Sequence, residues 1–433
     1  MLHLRSHALV VWTTLSLVAA CGSSDANTSS ANGGSSGNSS SSSAGAGGSS
    51  AGNSGSSSGG TSAGTSGSGG AGTSGSAGSG NAGAAGSGGS MIGDCSPPAD
   101  VFSPITTLSQ TGCVDPTDPR KPIARAVSYE VNSPLWSDSA DKQRAFVLPP
   151  GGKIHVRDCA ANMATDCPNG IQDDGRWHFP VGTVMIKIFL FDDKLVETRL
   201  FMHLDEDDWV GYSYEWDEAQ TDATIKTSDR AEVMFNTGMR TVDWHYPSQQ
   251  DCLLCHNSGA DFTLGPETAQ LNRNVAGTMM NQIDQMAALG VFETSPAKPY
   301  KAALVTPYTS QVGSPAAGAT TTDEARSYLH ANCGFCHRPG GAYSVFDLRN
   351  DTALKDTNIC NVDIQKPPIA SAPNATKILD PGSSTGSVMW QRMNVADPDA
   401  GRMPQIASYV VDTNATQVVG DWINSLTVAD CSK

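Results

Sequence analysis

The stretch TVMIKIFLFDDKLVETRLFMHL, residues 183–204, is rich in β-branched and aromatic residues and is broken by the acidic pair in FDD. Such runs favour strands, and the acidic break favours a turn. DWVGYSYEW (208–216) and AEVMFNT (231–237) continue the pattern, and no helical period interrupts it. Several short strands separated by turns predict an antiparallel sandwich or small barrel. We therefore assign residues 93–246 to a β-sandwich-like domain.

The pattern changes to helix after Pro247. TMMNQIDQMAALGVF (278–292) spaces its apolar residues for one helical face, and TTDEARSYLHANCGFCH (321–337) begins with a Thr/Asp cap. DTNATQVVGDWINSL (412–426) predicts a final amphipathic helix. The sequence therefore predicts an α+β chain in which the β domain precedes two small, mainly α-helical domains, residues 247–318 and 319–433.

The N-terminal residues predict export. MLHLRSHALVVWTTLSLVAACGSSD has a charged residue, a short apolar run and small residues before Cys21, as in a secretory signal followed by a lipobox. We expect residues 1–20 to be cleaved and Cys21 to carry lipid. Residues 21–92, nearly all Ser, Gly, Ala, Asn and Thr after Cys21, predict a disordered tether spanning about 45–50 Å. The chain is then a lipoprotein on the periplasmic side or surface of a bacterial membrane.

Charge and cysteine content limit the function further. The net charge of −16 excludes nucleic acid as an expected partner, because phosphate binding needs clustered Lys and Arg, and favours a basic partner. Eleven cysteines in an exported chain indicate an oxidising compartment. Six of them lie outside Cys21 and the two repeated motifs, and six cysteines permit 15 pairings. Sequence proximity favours Cys95–Cys113, Cys159–Cys167 and Cys360–Cys431.

One motif occurs twice in the helical part of the sequence. DCLLCHNSGA (251–260) contains Cys252, Cys255 and His256, and NCGFCHRPGG contains Cys333, Cys336 and His337. With 11 Cys and 9 His in 433 residues, (11/433)² × (9/433) × 433 gives about 0.006 chance matches to C-x-x-C-H.

Three kinds of site compete for these motifs. A structural zinc site needs no His directly after each cysteine pair, and a thioredoxin-like site needs a βαβ unit that the sequence lacks. Covalent haem c needs this spacing: the two thiols bond the porphyrin and the adjacent His ligates the iron. We therefore predict two covalently bound haems c, attached through Cys252, Cys255, Cys333 and Cys336, with iron ligands at His256 and His337.

The region around the second motif offers a second iron ligand. A helix ending in C-x-x-C-H, the late loop GRMPQ (401–405) and a last helix carrying Trp422 together resemble a small class I cytochrome c domain. The resemblance implies that His337 is the proximal iron ligand and Met403 the distal one. Met393 is the competitor. His–Met ligation raises the reduction potential. His330, three residues before Cys333, is interpreted as structural.

The first motif has no comparable distal ligand in the sequence. Candidates near it or in the β domain are Met279, Met280, Met286, His245, His203 and His178. Each is also a residue type that commonly fills a core or lies at the surface. An open sixth iron position is the remaining alternative.

Longer segments extend the resemblance. YEVNSPLWSDSADKQR (129–144), FPVGTVMIKIF (179–189), ETRLF (197–201), WVGYSYEWDEAQTDA (209–223) and the two motif regions, taken together, resemble a bacterial family of exported two-haem c-type cytochromes with an N-terminal β domain. The resemblance covers residues 129–426. It implies a two-haem cytochrome and leaves the physiological reaction open. The loop at 157–175 departs from the family pattern.

Three functions follow as hypotheses. The first is a membrane-anchored electron carrier, rather than an enzyme, that passes electrons between its haems and an unidentified redox partner protein. The second is a two-haem oxidoreductase or peroxidase-like enzyme whose first haem is five-coordinate. The third makes the β domain a ligand-binding module in which Trp209 and Trp216 stack on sugars, although such aromatics more commonly pack in a β core.

Overall fold

The hairpin at residues 183–204 forms the middle of a six-stranded antiparallel sheet in the computed structural model of this protein. The described strands are β1 (Val114–Asp115), β2 (Asp118–Pro122), β3 (Val127–Ser128), β4 (Asp141–Val147), β5 (His155–Val156), β6 (Trp177–His178), β7 (Val184–Phe191), β8 (Lys194–Asp205), β9 (Asp208–Trp216), β10 (Ala223–Ile225), β11 (Ala231–Asn236) and β12 (Thr241–Tyr246). The order across the large sheet is β10-β9-β8-β7-β4-β3. The strands predicted at 183–191, 194–204, 208–216 and 231–237 are thereby confirmed.

The structure describes residues 93–167, 175–206, 208–226, 231–239, 241–306, 318–365, 369–406 and 408–432. The signal peptide, Cys21 and the tether, all predicted within residues 1–92, lie outside these ranges. A helix with the length and apolarity needed to cross a bilayer does not occur within them.

The predicted β-sandwich is wrong, because the described strands form one large sheet and three two-stranded sheets. Segments outside the large sheet cover its two faces. Leu108, Cys113 and Val114 pack on the face that carries Ile186 and Ile188. The opposite face packs against residues that follow the β region, among them Leu271, Ile283 and Met286.

The helices are α1 (Met163–Asp166), α2 (Gln249–Cys255), α3 (Thr268–Leu271), α4 (Gln282–Ala288), α5 (Thr321–Asn332), α6 (Val388–Met393) and α7 (Thr413–Ser425). The prediction of two mainly α-helical haem domains is wrong. Among the described residues after Tyr246, the six α-helices are 4 to 13 residues long and loops connect them. The pattern at 278–292 supports a helix only from Gln282, because Asn281 caps it there, and Gly290 with φ 68° follows its end.

The three disulfides follow the pairing that sequence proximity favoured. Cys95 pairs with Cys113, Cys159 with Cys167, and Cys360 with Cys431.

The described residues belong to one compact unit, and hydrogen bonds connect its distant segments. For example, the Asn332 side chain on α5 accepts from the backbone N–H of Trp136 at 2.6 Å. The segment before β4 therefore reaches the helix that carries the second motif.

Candidate functional site

Each C-x-x-C-H motif lies at the C-terminal end of a capped helix. Helix α2 begins with a capping box between Ser248 and Asp251 and ends at Cys255, so that His256 is its C-cap residue. Helix α5 begins with a capping box at Thr320 and ends just before Cys333. Both caps satisfy otherwise unpaired N–H groups and fix where the helix starts. The helix ends therefore place both motifs in defined positions.

The four motif cysteines are free thiols, in contrast to the six disulfide-bonded cysteines. Burial raises the pKa of Cys252 to about 11 and that of Cys333 to about 12. A hydrogen bond to Cys336, together with burial, raises the pKa of Cys255, and the same bond lowers the pKa of Cys336. Each motif therefore holds at least one thiol that stays protonated at neutral pH, unlike the low-pKa nucleophile of a redox dithiol.

The two motif histidines have the same orientation. The Nδ1 atom of His256 lies 2.5 Å from the carbonyl oxygen of Phe262, and Nδ1 of His337 lies 3.2 Å from that of Tyr343. A carbonyl can only accept, so Nδ1 carries the proton in both rings and Nε2 keeps its lone pair. Histidines that ligate metals in proteins are oriented by hydrogen bonds of this kind.

The electrostatic surroundings keep the His256 ring neutral. Burial, with the nearby charge of Lys187, lowers the pKa of His256 to about 3, and burial also lowers the pKa of His337. Aromatic rings fix both imidazoles: Phe201 lies 4.1 Å from the His256 ring, and Phe346 stacks on His337 at 4.3 Å. A neutral imidazole is the form that binds metal.

The two motifs pack directly against each other. The Cys336 thiol donates to the carbonyl oxygen of Leu254 at 3.4 Å, and the neighbouring thiols of Cys255 and Cys336 shift each other's pKa in opposite directions. The Asn257 amide donates to the carbonyl of Phe335 at 3.3 Å. Cys255 and Cys336 occupy the same position in their motifs, so equivalent residues of the two motifs are neighbours.

Gly259 and Gly340, also at equivalent positions, make the closest backbone approach between the motif regions. A Cβ atom at Gly259 would lie 2.3 Å from the Gly340 carbonyl oxygen, so only glycine fits. Gly259 precedes Gly340 by the same number of residues as Cys255 precedes Cys336. The two motif regions are therefore in close backbone contact at these glycines.

The first motif lines a cavity, here called the first cavity, that opens to solvent. Cys252, Cys255 and His256 line it together with residues of the large sheet, of the segment before β4 and of a late loop. These other lining residues include Met185, Lys187, Phe189, Arg199, Phe201, Gly211, Ser213, Tyr129, Leu135, Trp136, Pro404 and Ile406.

A second cavity of about 570 Å³ adjoins the first, because Leu135, Lys187, Leu264 and Phe335 line both. It lies against the second motif region through Gly334, Phe335 and Arg338. These four shared residues therefore border both cavities.

The sequence candidates for a distal ligand at the first motif do not line these two cavities. Met279 and Met280 are exposed, and Met286 is buried beside Ile283. His203 stacks on Trp209.

The other two histidines face carboxylates. His178 lies 3.0 Å from the Asp261 carboxylate, and His245 lies 3.9 Å from that of Asp251. His330, interpreted as structural, contacts Glu267 at 2.7 Å and accepts from the Asn350 backbone.

The loop that carries Met403 is tied to the wall of the first cavity. Met403 is half-buried and its N–H donates to the Arg392 carbonyl. Asp138, two residues after Trp136, accepts from the backbone N–H groups of Tyr409 and Val410 at about 3 Å. Pro404 lines the first cavity, whereas Met403 and His337 line neither of the two.

The competitor Met393 lies in a different environment. Its side chain is 8% exposed and belongs to the core cluster around Trp422 and Val419. This is the environment expected of a methionine that fills a core.

Met185 is the potential ligand that the sequence reasoning missed. It is the one methionine among the residues that line the first cavity together with His256. Its position in β7, two residues before the charged Lys187, places both side chains on the same face of the sheet. The two-residue spacing of Met185 and Lys187 in a predicted strand could have placed them on one face. It could not show that this face lies at the first motif.

The comparisons with known proteins gave no match. Neither a protein-family model, nor a curated protein, nor a solved structure matches this chain. In the described part of the chain, His, Cys, Asp and Glu side chains do not gather in groups of three or more that could hold a metal ion.

Proposed function

We propose that this protein is an exported, lipid-anchored two-haem c-type cytochrome that carries electrons between its haems and an external redox partner. The observation that carries the proposal is the direct packing of two free-thiol C-x-x-C-H motifs through Cys255 and Cys336. Haem c bound at these motifs supplies reversible one-electron chemistry. Electrons would then pass across the contact between the two motifs.

The residues of the first motif fit this group, and the second motif offers the same donor atoms. Two free thiols and one Nε2 lone pair per motif provide the attachment atoms and the proximal ligand. The first cavity brings Cys252, Cys255 and His256 to one large space. Cys252 and Cys255 would hold the first haem, Cys333 and Cys336 the second, with His256 and His337 as proximal ligands and Met403 as the distal ligand of the second.

A second candidate function follows from the first cavity. Met185 is the one methionine among the residues that line this cavity together with His256. If Met185 does not ligate, the first haem is five-coordinate and has an open iron position beside the first cavity, as an oxidoreductase or peroxidase-like enzyme requires.

Carbon monoxide binding separates these two functions. For the electron carrier, we expect the dithionite-reduced protein with two haems to show almost no change in its Soret spectrum under carbon monoxide, because both irons are six-coordinate. Met185→Ala should then leave the iron of the first haem five-coordinate and able to bind carbon monoxide. Met286→Ala, which changes a core methionine outside the cavity, serves as control. Carbon monoxide binding by half of the wild-type haem would instead favour the enzyme.

Substitution of Gly211 should selectively impair the first attachment site. A Cβ atom at residue 211 would lie 2.6 Å from the Cys252 sulfur, and β9 is fixed by its pairing with Phe201. Such overpacking costs about 1–3 kcal/mol and displaces the thiol. In Gly211→Val we expect most chains to carry one haem by intact mass. Ser213→Ala, on the same face of the same strand, should keep two, and equal loading of both variants would contradict the assignment.

A further inference from the structure

Four cationic side chains lie side by side on the face of the large sheet that points towards the motifs. Arg144 on β4 is the direct partner of Lys187 on β7, and Lys187 is the direct partner of Arg199 on β8. Lys142, two residues before Arg144, shares its face. Direct partners have Cβ atoms about 5 Å apart, and like charges in that arrangement destabilise a sheet. We call these four residues the cation row.

One carboxylate on the sheet compensates part of this charge. Glu197 forms an ion pair with Arg199 at 2.8 Å. Lys142 donates to the carbonyl of Leu135. The Lys187 side chain forms neither a hydrogen bond nor an ion pair with any described residue. Burial, followed by repulsion from Arg144 and Arg199, lowers its pKa to about 7.

The other carboxylates at the two cavities have partners of their own. Asp251 caps helix α2, and Glu267 pairs with His330 and Arg176. Near the start of the row, Glu130 pairs with Arg273, Asp138 accepts from the backbone of the late loop, and Asp141, which directly precedes Lys142, is exposed. Burial, followed by repulsion from Arg144, Lys187 and Arg199, also holds the pKa of Lys142 well below its usual range. Within the row, Arg144 and Lys187 form no ion pair with a carboxylate of the described residues.

The cation row faces both cavities. Lys187 lies where they meet, Arg199 lines the first, and Lys142 and Arg144 line the second. Buried cations without anionic partners cost free energy, and a bound anion would recover it. Cys252 and Cys255 line the same cavity as Lys187 and Arg199.

We propose that the cation row binds carboxylate groups through Lys187 and Arg199, and that these are the propionates of the haem attached to Cys252 and Cys255. This inference rests on the proposed function. A haem held by those thiols brings two carboxylates into the cavity that the cations line. Arginine recognises carboxylates through two parallel hydrogen bonds, and lysine acts as a point charge. The other source of the same chemistry is a small free carboxylate that enters beside the haem.

The test uses the protein loaded with two haems and the variant Lys187→Gln. Lys226→Gln is the matched control, because Lys226 pairs with Glu215 near the end of the same sheet and lines neither cavity. We expect Lys187→Gln to shift the propionate bending bands in resonance Raman spectra and to lower the midpoint potential of one haem. The potential falls because a nearby positive charge favours the reduced iron. Lys226→Gln should change neither quantity.

Acetate titration distinguishes the two possible sources of the bound carboxylate, the haem propionates and a small free carboxylate. If propionates occupy the cation row, acetate leaves the wild-type bands and potentials unchanged. If a free carboxylate binds there, acetate shifts them saturably in the wild type and not in Lys187→Gln. A fully loaded Lys187→Gln protein with wild-type bands, potentials and acetate response overturns the inference and leaves the cytochrome intact. A chain without haem overturns the proposed function and the propionate assignment together. If that chain binds acetate saturably and Lys187→Gln abolishes the binding, the row binds a free carboxylate instead.

Discussion

Replacement of Cys252 and Cys255 by alanine should reduce the covalent haem content from two per chain to one. Replacement of Cys333 and Cys336 should do the same, and the fourfold variant should carry none. The effect is large because both thioether bonds of one haem disappear together. The measurement is haem per chain from the pyridine haemochrome spectrum, with expression in a host that attaches haem c.

The matched control is the Cys159→Ala, Cys167→Ala variant. This pair forms a disulfide and includes none of the four motif cysteines. Its loss should lower stability by about 2–4 kcal/mol without changing the haem count. Haem loss in the control, or full loading in a motif variant, would show that the thiols of the two motifs are not the attachment points.

Met403→Ala should change one haem and leave the other nearly unchanged. If its sulfur ligates the second iron, the oxidised wild type shows the weak near-infrared charge-transfer band of Met–iron coordination, and the variant loses it. The potential of that haem should fall, because thioether ligation stabilises ferrous iron, and the iron should bind carbon monoxide. The stability cost should be small, because Met403 lies in a loop and is half-buried.

Met393→Ala is the control and should give the opposite pattern. Because Met393 packs in the core around Trp422, we expect a loss of about 2–5 kcal/mol in the free energy of unfolding with an unchanged near-infrared band. If Met393→Ala abolishes the band and Met403→Ala does not, the ligand assignment is wrong while the haem assignment stands. If neither variant alters the spectrum, histidine ligates the second iron on both sides.

Local patterns made parts of the fold predictable. The β-branched and aromatic runs identified β7, β8 and β9 because strand preference is encoded in neighbouring residues. The final helix was predicted at 412–426 and extends from Thr413 to Ser425, with Asp412 as its cap. The disulfide pairs could be ranked because short sequence separations favour closure.

Long-range arrangement was beyond the sequence patterns. The apolar period at 278–292 indicates helix α4 but does not show whether loops or longer helices flank it. The prediction of two mainly α-helical haem domains was wrong for this reason. The sandwich prediction failed because strand patterns identify the strands but do not show whether a second sheet or other segments cover each face of the sheet. Likewise, the contact between Cys255 and Cys336 and the register that aligns Arg144, Lys187 and Arg199 depend on tertiary packing.

The most direct test of the two-haem proposal is the intact mass of the wild-type chain, measured under denaturing conditions after expression with haem attachment machinery. Denaturation removes any non-covalent group, so only thioether-bound haem remains. We predict the mass of the processed polypeptide plus two haems, with a haemochrome spectrum of the same stoichiometry. A mass equal to the polypeptide alone, with or without zinc in the native protein, would contradict the proposal.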